Sequence, residues 1–222
     1  MSRQTAPATG VPASGGQFIL ERRARLVRDL MPAGGHLLDF GCGNGAQTLH
    51  FADHYDRVTG VDIEEEYLAG FRREITAHGL DDRFDALATG GGAVPLTDGS
   101  VDVLTSFTVL EHVPDEQEAL AEFRRLLKPG GRLVLTVPNK WWIFETHGAD
   151  LPLLPWNRVP LVSWWPRPLH DRWARARIYR RRDIVALLTA AGFDVDVSFR
   201  MTAPLDVIRW KPLRDLFRNT VF

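Results

Sequence analysis

The sequence predicts an α/β fold: a doubly wound, mostly parallel sheet with helices on both faces and a Trp- and Arg-rich insertion. Three observations carry this. Short apolar runs alternate along the chain with stretches of helical period. One of those runs, His36 to Phe40, opens directly into a glycine-rich turn. The chain has 222 residues, 45% hydrophobic and 25% charged, which suits one core and one domain.

In order, Gln17 to Met31 puts Ile19, Leu26, Val27 and Leu30 on one helical face. After the strand at His36 to Phe40 comes a helical stretch, Ala46 to His54. Arg57 to Val61 reads as a strand, Glu64 to His78 as a helix and Arg83 to Ala88 as a weaker strand. Val101 to Phe107 has the composition of a buried strand. The helix Asp115 to Leu127 turns Leu120, Phe123, Leu126 and Leu127 inward, and Lys128-Pro129-Gly130-Gly131 stops it. Arg132 to Val137 is a strand. Asp183 is placed to cap a helix through Ala191, with Gly192 ending it. Phe193, Val195, Val197 and Phe199 then alternate like a half-exposed strand, and Pro204 to Arg218 adds a last helix.

Several classes are excluded early. Cys42 is the only cysteine, so there is no intramolecular disulfide and no multi-cysteine metal site. A formal net charge of −1 argues against wholesale nucleic-acid binding. Residues 1–16 read as a flexible tail without the apolar run of a signal peptide, leaving 17–222 as the domain. No stretch approaches the roughly 18 apolar residues of a membrane span. The expectation is a cytoplasmic protein, at most peripheral at a membrane.

The turn is Asp39-Phe40-Gly41-Cys42-Gly43-Asn44-Gly45. Its glycines remove Cβ atoms that would block a ligand, and a following helix would present unpaired N–H groups. Asp62 ends the next strand, where a carboxylate can accept both hydroxyls of a ribose. Gly41, Gly43 and Ala46 also satisfy the looser dinucleotide fingerprint, so a nicotinamide oxidoreductase stays open at this point. Asp39, two residues before Gly41, is placed to meet the ammonium of a methionine moiety.

The turn resembles the first motif of the class I S-adenosylmethionine (SAM)-dependent methyltransferases. Val94-Pro95-Leu96-Thr97-Asp98-Gly99-Ser100-Val101-Asp102, Val109-Leu110-Glu111-His112-Val113-Pro114-Asp115 and Leu127-Lys128-Pro129-Gly130-Gly131 resemble later motifs of that family, in the same order. Tyr179 to Phe193 is similar to its last helix and strand, and the Leu-Glu-His-Val-Pro string is similar to ubiquinone-pathway O-methyltransferases. The resemblance implies a Rossmann-like fold with SAM as cofactor. By it, Gly41, Cys42 and Gly43 pass under the methionine part, Asp62 holds the ribose and Ile63 packs on the adenine. Ser106 and Phe107 line the sulfonium side. The acid such proteins often place against the adenine amino group is missing, because Thr89-Gly90-Gly91-Gly92 stands there and Asp85 falls too early. Backbone at Gly90 and Gly91 is expected to serve instead.

Methyl transfer to a hydroxyl needs in-line approach and removal of a proton. His112 is the first candidate base, the alternative being that Glu111 and His112 merely cap and orient the next helix. His147 is the second. Some relatives hold a metal with an acid three positions before the glutamate. Thr108 stands there, so no required metal is expected.

Residues 139–182 read as a substrate lid. They hold six of the seven tryptophans and carry a net +6 against −7 for the rest of the chain. A small or lipid-like acceptor is expected, most readily at oxygen, with peripheral membrane contact through 139–182 as a second use. The basic residues cluster beside proline breaks and form no nucleic-acid face. The chain is expected as a monomer or homodimer. A catalytically weak SAM-fold adaptor is the remaining alternative.

Overall fold

In the computed structural model, described for residues 17–91, 93–141, 149–151, 154–156 and 162–201, five parallel strands form one sheet in the order β3-β2-β1-β4-β5. The strands are β1 (His36–Phe40), β2 (Arg57–Asp62), β3 (Phe84–Ala88), β4 (Val101–Phe107) and β5 (Leu127–Thr136). Helix α1 (Gln17–Arg28) precedes the sheet, α2 (Glu65–Ala77) joins β2 to β3, and α3 (Glu116–Leu126) joins β4 to β5. Beyond β5 lie a short antiparallel pair, β6 (Ala149–Leu151) and β7 (Leu154–Trp156), then α4 (Arg167–Trp173) and α5 (Arg181–Ala190).

Both faces of the sheet are covered, and alternation along the strands decides which residue serves which face. Leu37, Val58, Phe84 and Val103 pack with Ala24, Val27, Leu68, Phe71 and Ile75 of α1 and α2. Their neighbours Leu38, Val61 and Leu104 pack with Leu120, Phe123 and Leu126 of α3 and Ile184 of α5. Helix α3 follows from its sequence: Asp115 accepts from the N–H groups of Gln117 (2.8 Å) and Glu118 (3.2 Å), and the inward side chains recur at helical spacing.

At the N-terminal end of the sheet, Asp102 accepts from His36 N–H (2.8 Å) and from the Lys128 ammonium (2.7 Å), and His36 Nε2 meets Thr59 Oγ1 at 2.8 Å. A Cβ on Gly35 would lie 2.5 Å from the Asp102 carboxylate. Polar atoms satisfy one another there.

Four local expectations are corrected. Helix α1 buries Leu20, Ala24 and Val27, while Ile19 and Leu26 are about 40% and 39% exposed, because the stripe packed towards the 3-10 turn lies beside the one first chosen. No α-helix follows the glycine turn: between Ala46 and His54 only a 3-10 turn forms, Thr48–Phe51. Helix α5 begins at Arg181, so Asp183 lies in its first turn and does not cap it. Residues 193–200 form no strand; they run beside β5, where Asp196 pairs with Arg132 at 3.0 Å. The expected helix at Pro204 to Arg218 lies outside the described residues.

Candidate active site

In an open doubly wound sheet the crevice opens where strand order reverses, at the C-terminal ends of the strands. Here that point lies between β1 and β4. The chain leaves β1 into Gly41–Gly45, leaves β2 at Asp62 and leaves β4 at Thr108. These three exits form the site.

The turn after β1 is fastened to β2. Gly41 and Cys42 both donate N–H to Val61 O, at 2.8 and 3.0 Å, and Gly43 donates to Asp62 Oδ2 at 2.8 Å. The other Asp62 oxygen accepts from Glu64 N–H at 3.0 Å. A half-buried carboxylate held twice by backbone is rigid and keeps acceptor capacity for ribose hydroxyls. The glycines answer an internal need as well as a ligand: a Cβ on Gly41 would lie 2.3 Å from Val109, and one on Gly45 1.9 Å from the Phe71 ring. Both have positive φ, +77°. Anion binding by a helix N-terminus, expected after this turn, falls away with the missing helix.

Asp39 is brought to the site's floor and not to its surface. It is 2% exposed and accepts from Thr48 Oγ1 (2.5 Å) and Thr105 Oγ1 (2.8 Å). Burial pushes its carboxyl above the usual range, against those two bonds. It clamps β1, β4 and the 3-10 turn together. Cys42 is buried, and burial pushes its thiol well up, so it is a small residue in a tight turn.

On the opposite wall, Ile63 is 54% exposed beside the turn. Gly90 and Gly91 have nothing within 4 Å of where a Cβ would stand. Asp85 lies inside β3, paired with Arg57 at 2.9 Å. An exposed apolar side chain and open backbone are features that suit an adenine ring.

At the tip of β4, Ser106 is fully buried, and its hydroxyl has no hydrogen-bond partner among the described residues. Phe107 stacks on Phe51, with ring centroids 6.1 Å apart. Over Phe107, at 5.3 Å, lies the guanidinium of Arg23 from α1. Burial lowers the Arg23 pKa, opposed by the charges of Asp39 and Glu111. Its Nε is buried without a hydrogen-bond partner among the described residues. Sequence reasoning missed Arg23, which stands outside every motif in a helix with four other charged residues.

Glu111 is fully buried and both ring nitrogens of His112 are shielded from solvent. They do not cap α3, because Asp115 does. Their loop is held from the far side of the chain, by Arg177 and Tyr179. His147 lies outside the described residues. Among those residues no group of three His, Cys, Asp or Glu side chains is arranged to hold a metal ion.

The glycine turn, Asp62 and Ile63 gather at the switch point of a Rossmann-like parallel sheet. The profile of the family described as "Methyltransferase domain" matches residues 38–135. A Mycolicibacterium smegmatis protein named as an S-adenosylmethionine-dependent methyltransferase is 34% identical over 164 residues, covering 74% of this chain and 54% of that protein. The ubiquinone biosynthesis O-methyltransferase of Pseudomonas aeruginosa (strain UCBPP-PA14) is 35% identical over 179 residues, covering 75% of this chain and 77% of that protein. The chain thus spans about half the length of the first relative. Among solved structures, an S-adenosylmethionine-dependent methyltransferase from Mesorhizobium loti shares the fold at TM-score 0.63 and 20% identity, covering 92% of this chain and 94% of that one. This chain belongs to the SAM-dependent methyltransferases.

Proposed function

We propose that the chain transfers the methyl group of SAM to an oxygen of a small, lipophilic acceptor. The observation that carries this reading is the set of side chains at the three strand exits: Asp62 and Ile63 after β2, Arg23 over Phe107 at β4, and His112 in the next loop. These residues fit the cofactor's chemistry, and its sulfonium supplies an electrophilic methyl group. Asp62 accepts the ribose hydroxyls, Ile63 covers the adenine, and backbone at Gly90 and Gly91 meets the amino group. Gly41 to Gly43 lie along the methionine part, whose carboxylate offers the Arg23 Nε an acceptor. Ser106 and Phe107 stand at the sulfonium side. His112 takes the acceptor's proton as the bond to oxygen forms.

The oxygen preference draws on the relatedness to an O-methyltransferase. A lipophilic acceptor draws on the insertion, where Trp141, Trp164 and Leu169 are 53%, 48% and 45% exposed. Arg180 lies over Trp141 at 5.8 Å and Arg172 over Trp173 at 5.2 Å, a pairing of aromatic and cation suited to an anionic bilayer surface. No helix among the described residues is long and apolar enough to cross a membrane.

Calorimetric titration with SAM, S-adenosylhomocysteine and NADH tests the cofactor. Stoichiometric micromolar binding of both adenosyl ligands, and none of NADH, is expected; the reverse would favour an oxidoreductase. An acceptor screen, lipophilic phenols first, follows. Activity lost to a chelator and restored by Mg²⁺ would overturn metal-free chemistry. Sedimentation with phosphatidylglycerol vesicles at low salt reads the surface, and no binding there removes the membrane contact.

A further inference from the structure

We infer that Arg177 and Tyr179 are positioning residues which lock the β4–α3 loop, and with it His112, to the insertion. The inference rests on the reading that this loop serves the acceptor.

The loop comprises residues 108–114, between the last residue of β4 and the Asp115 cap of α3. Its first residue, Thr108, has φ +60°, the one positive value at a non-glycine residue among the described residues. Such a backbone persists only where its surroundings over-determine it. On one side Val109 fills the space above Gly41, so the loop rests on the cofactor turn. On the other side the carbonyls of the loop have no ladder or helix of their own, and the chain 60-odd residues later provides their partners.

Arg177 provides three. Its N–H donates to Glu111 O (3.3 Å), Nη1 to Val113 O (2.5 Å) and Nη2 to Pro114 O (2.9 Å). Tyr179 Oη donates to the Glu116 carboxylate, in the first turn of α3, and lies 3.4 Å from Leu110 O. A planar guanidinium spanning successive carbonyls fixes orientation as well as distance. Helix α3 has its own cap, so the Arg177 contacts are not needed to start it.

The same short segment is bound to the exit of β5. Tyr179 N–H donates to Pro138 O (3.0 Å), Lys140 N–H donates to Tyr179 O (2.8 Å), and Lys140 Nζ reaches Trp165 O (2.7 Å) in the insertion. A continuous path therefore runs from Trp165 through Lys140 and Tyr179 to the loop that carries His112.

Hydrogen–deuterium exchange of the full chain, alone and with S-adenosylhomocysteine, tests this with Arg177→Ala, Arg177→Lys and Tyr179→Phe. In Arg177→Ala, amide exchange across 108–114 should rise at least ~tenfold, the scale of losing bonds to a charged donor. Exchange in 37–40 and 57–62 should stay put, S-adenosylhomocysteine affinity should stay within twofold, and Arg177→Lys should fall between. The His112 ring signals, followed by NMR and assigned through His112→Gln, should move in Arg177→Ala. Unchanged exchange in 108–114, or a uniform rise that includes 57–62, overturns the inference. Wild-type protein that fails to bind S-adenosylhomocysteine sinks the methyltransfer reading instead, and exchange in the unliganded chain still decides the lock.

Discussion

The two halves of the crevice rim are held by different means. Around β1 and β2 the fastenings are donated by backbone N–H groups and short in sequence: Gly41 and Cys42 onto the Val61 carbonyl, and Gly43 onto the Asp62 carboxylate nineteen residues away. Around β4 and the insertion they are side chain to backbone and long: Arg177 reaches Val113 across 64 residues and Tyr179 reaches Leu110 across 69. The first half is made by strand, turn and strand alone. The second exists only once the chain has closed on itself, which makes it the half able to respond to an acceptor.

The largest effect should come from the second half. His112→Ala should lower kcat by roughly 10²–10⁴-fold, the usual contribution of a general base, with S-adenosylhomocysteine affinity within twofold. Unchanged turnover, measured with whichever acceptor the screen yields, would make His112 a packing residue and reduce the contrast to one of rigidity.

Next comes the first half. Gly45→Ala puts a methyl 1.9 Å from the Phe71 ring at φ +77°. The left-handed backbone and the overpacking together should cost about 2–5 kcal/mol. Gly90→Ala, at φ +56° with open space around it, meets only the backbone penalty of about 1–2 kcal/mol. Thermal unfolding of the two variants side by side checks this. Equal losses would mean the turn is not the tight joint that its contacts describe.

Asp62→Asn should weaken S-adenosylhomocysteine binding roughly 10–100-fold, the range for losing a charge-assisted hydrogen bond. The amide oxygen still accepts from one backbone N–H, so unfolding should shift less than affinity. A larger loss of stability than of binding would recast Asp62 as a fastener of the turn, like Asp39.

The same division explains what could be read from the sequence. Helices α3 and α2 each begin one residue inside their predicted starts, because periodicity acts locally. The glycine turn and Asp62 announced themselves for the same reason. The buried stripe of α1 was chosen wrongly because two apolar stripes adjoin on it and only the packing partners, Phe51 and Phe107 among them, select one. Phe193 to Phe199 alternates as a strand should, yet alternation promises an apolar face and not a partner. Arg23 and Arg177 were invisible for a related reason: a guanidinium draws its role from carbonyls, rings and carboxylates that sequence distance conceals.

The smallest effect lies at the far end of the sheet and sets a baseline for the rim. His36 is buried there, and burial first, then the charge of Arg57, holds its pKa below the usual 6.5. The folded state therefore favours the neutral ring. The stabilisation is full above the unfolded-state value and is lost as pH falls below it, with a slope of at most about 1.4 kcal/mol per pH unit. His36→Gln, which keeps a polar group near Thr59, should flatten urea midpoints between pH 7.5 and 5 relative to wild type. S-adenosylhomocysteine affinity should not follow that slope, because Asp62 and Ile63 stand at the opposite ends of the strands. Parallel pH dependence of stability and affinity in wild type, abolished together in the variant, would show that the two ends of the sheet are coupled and that the rim cannot be understood by itself.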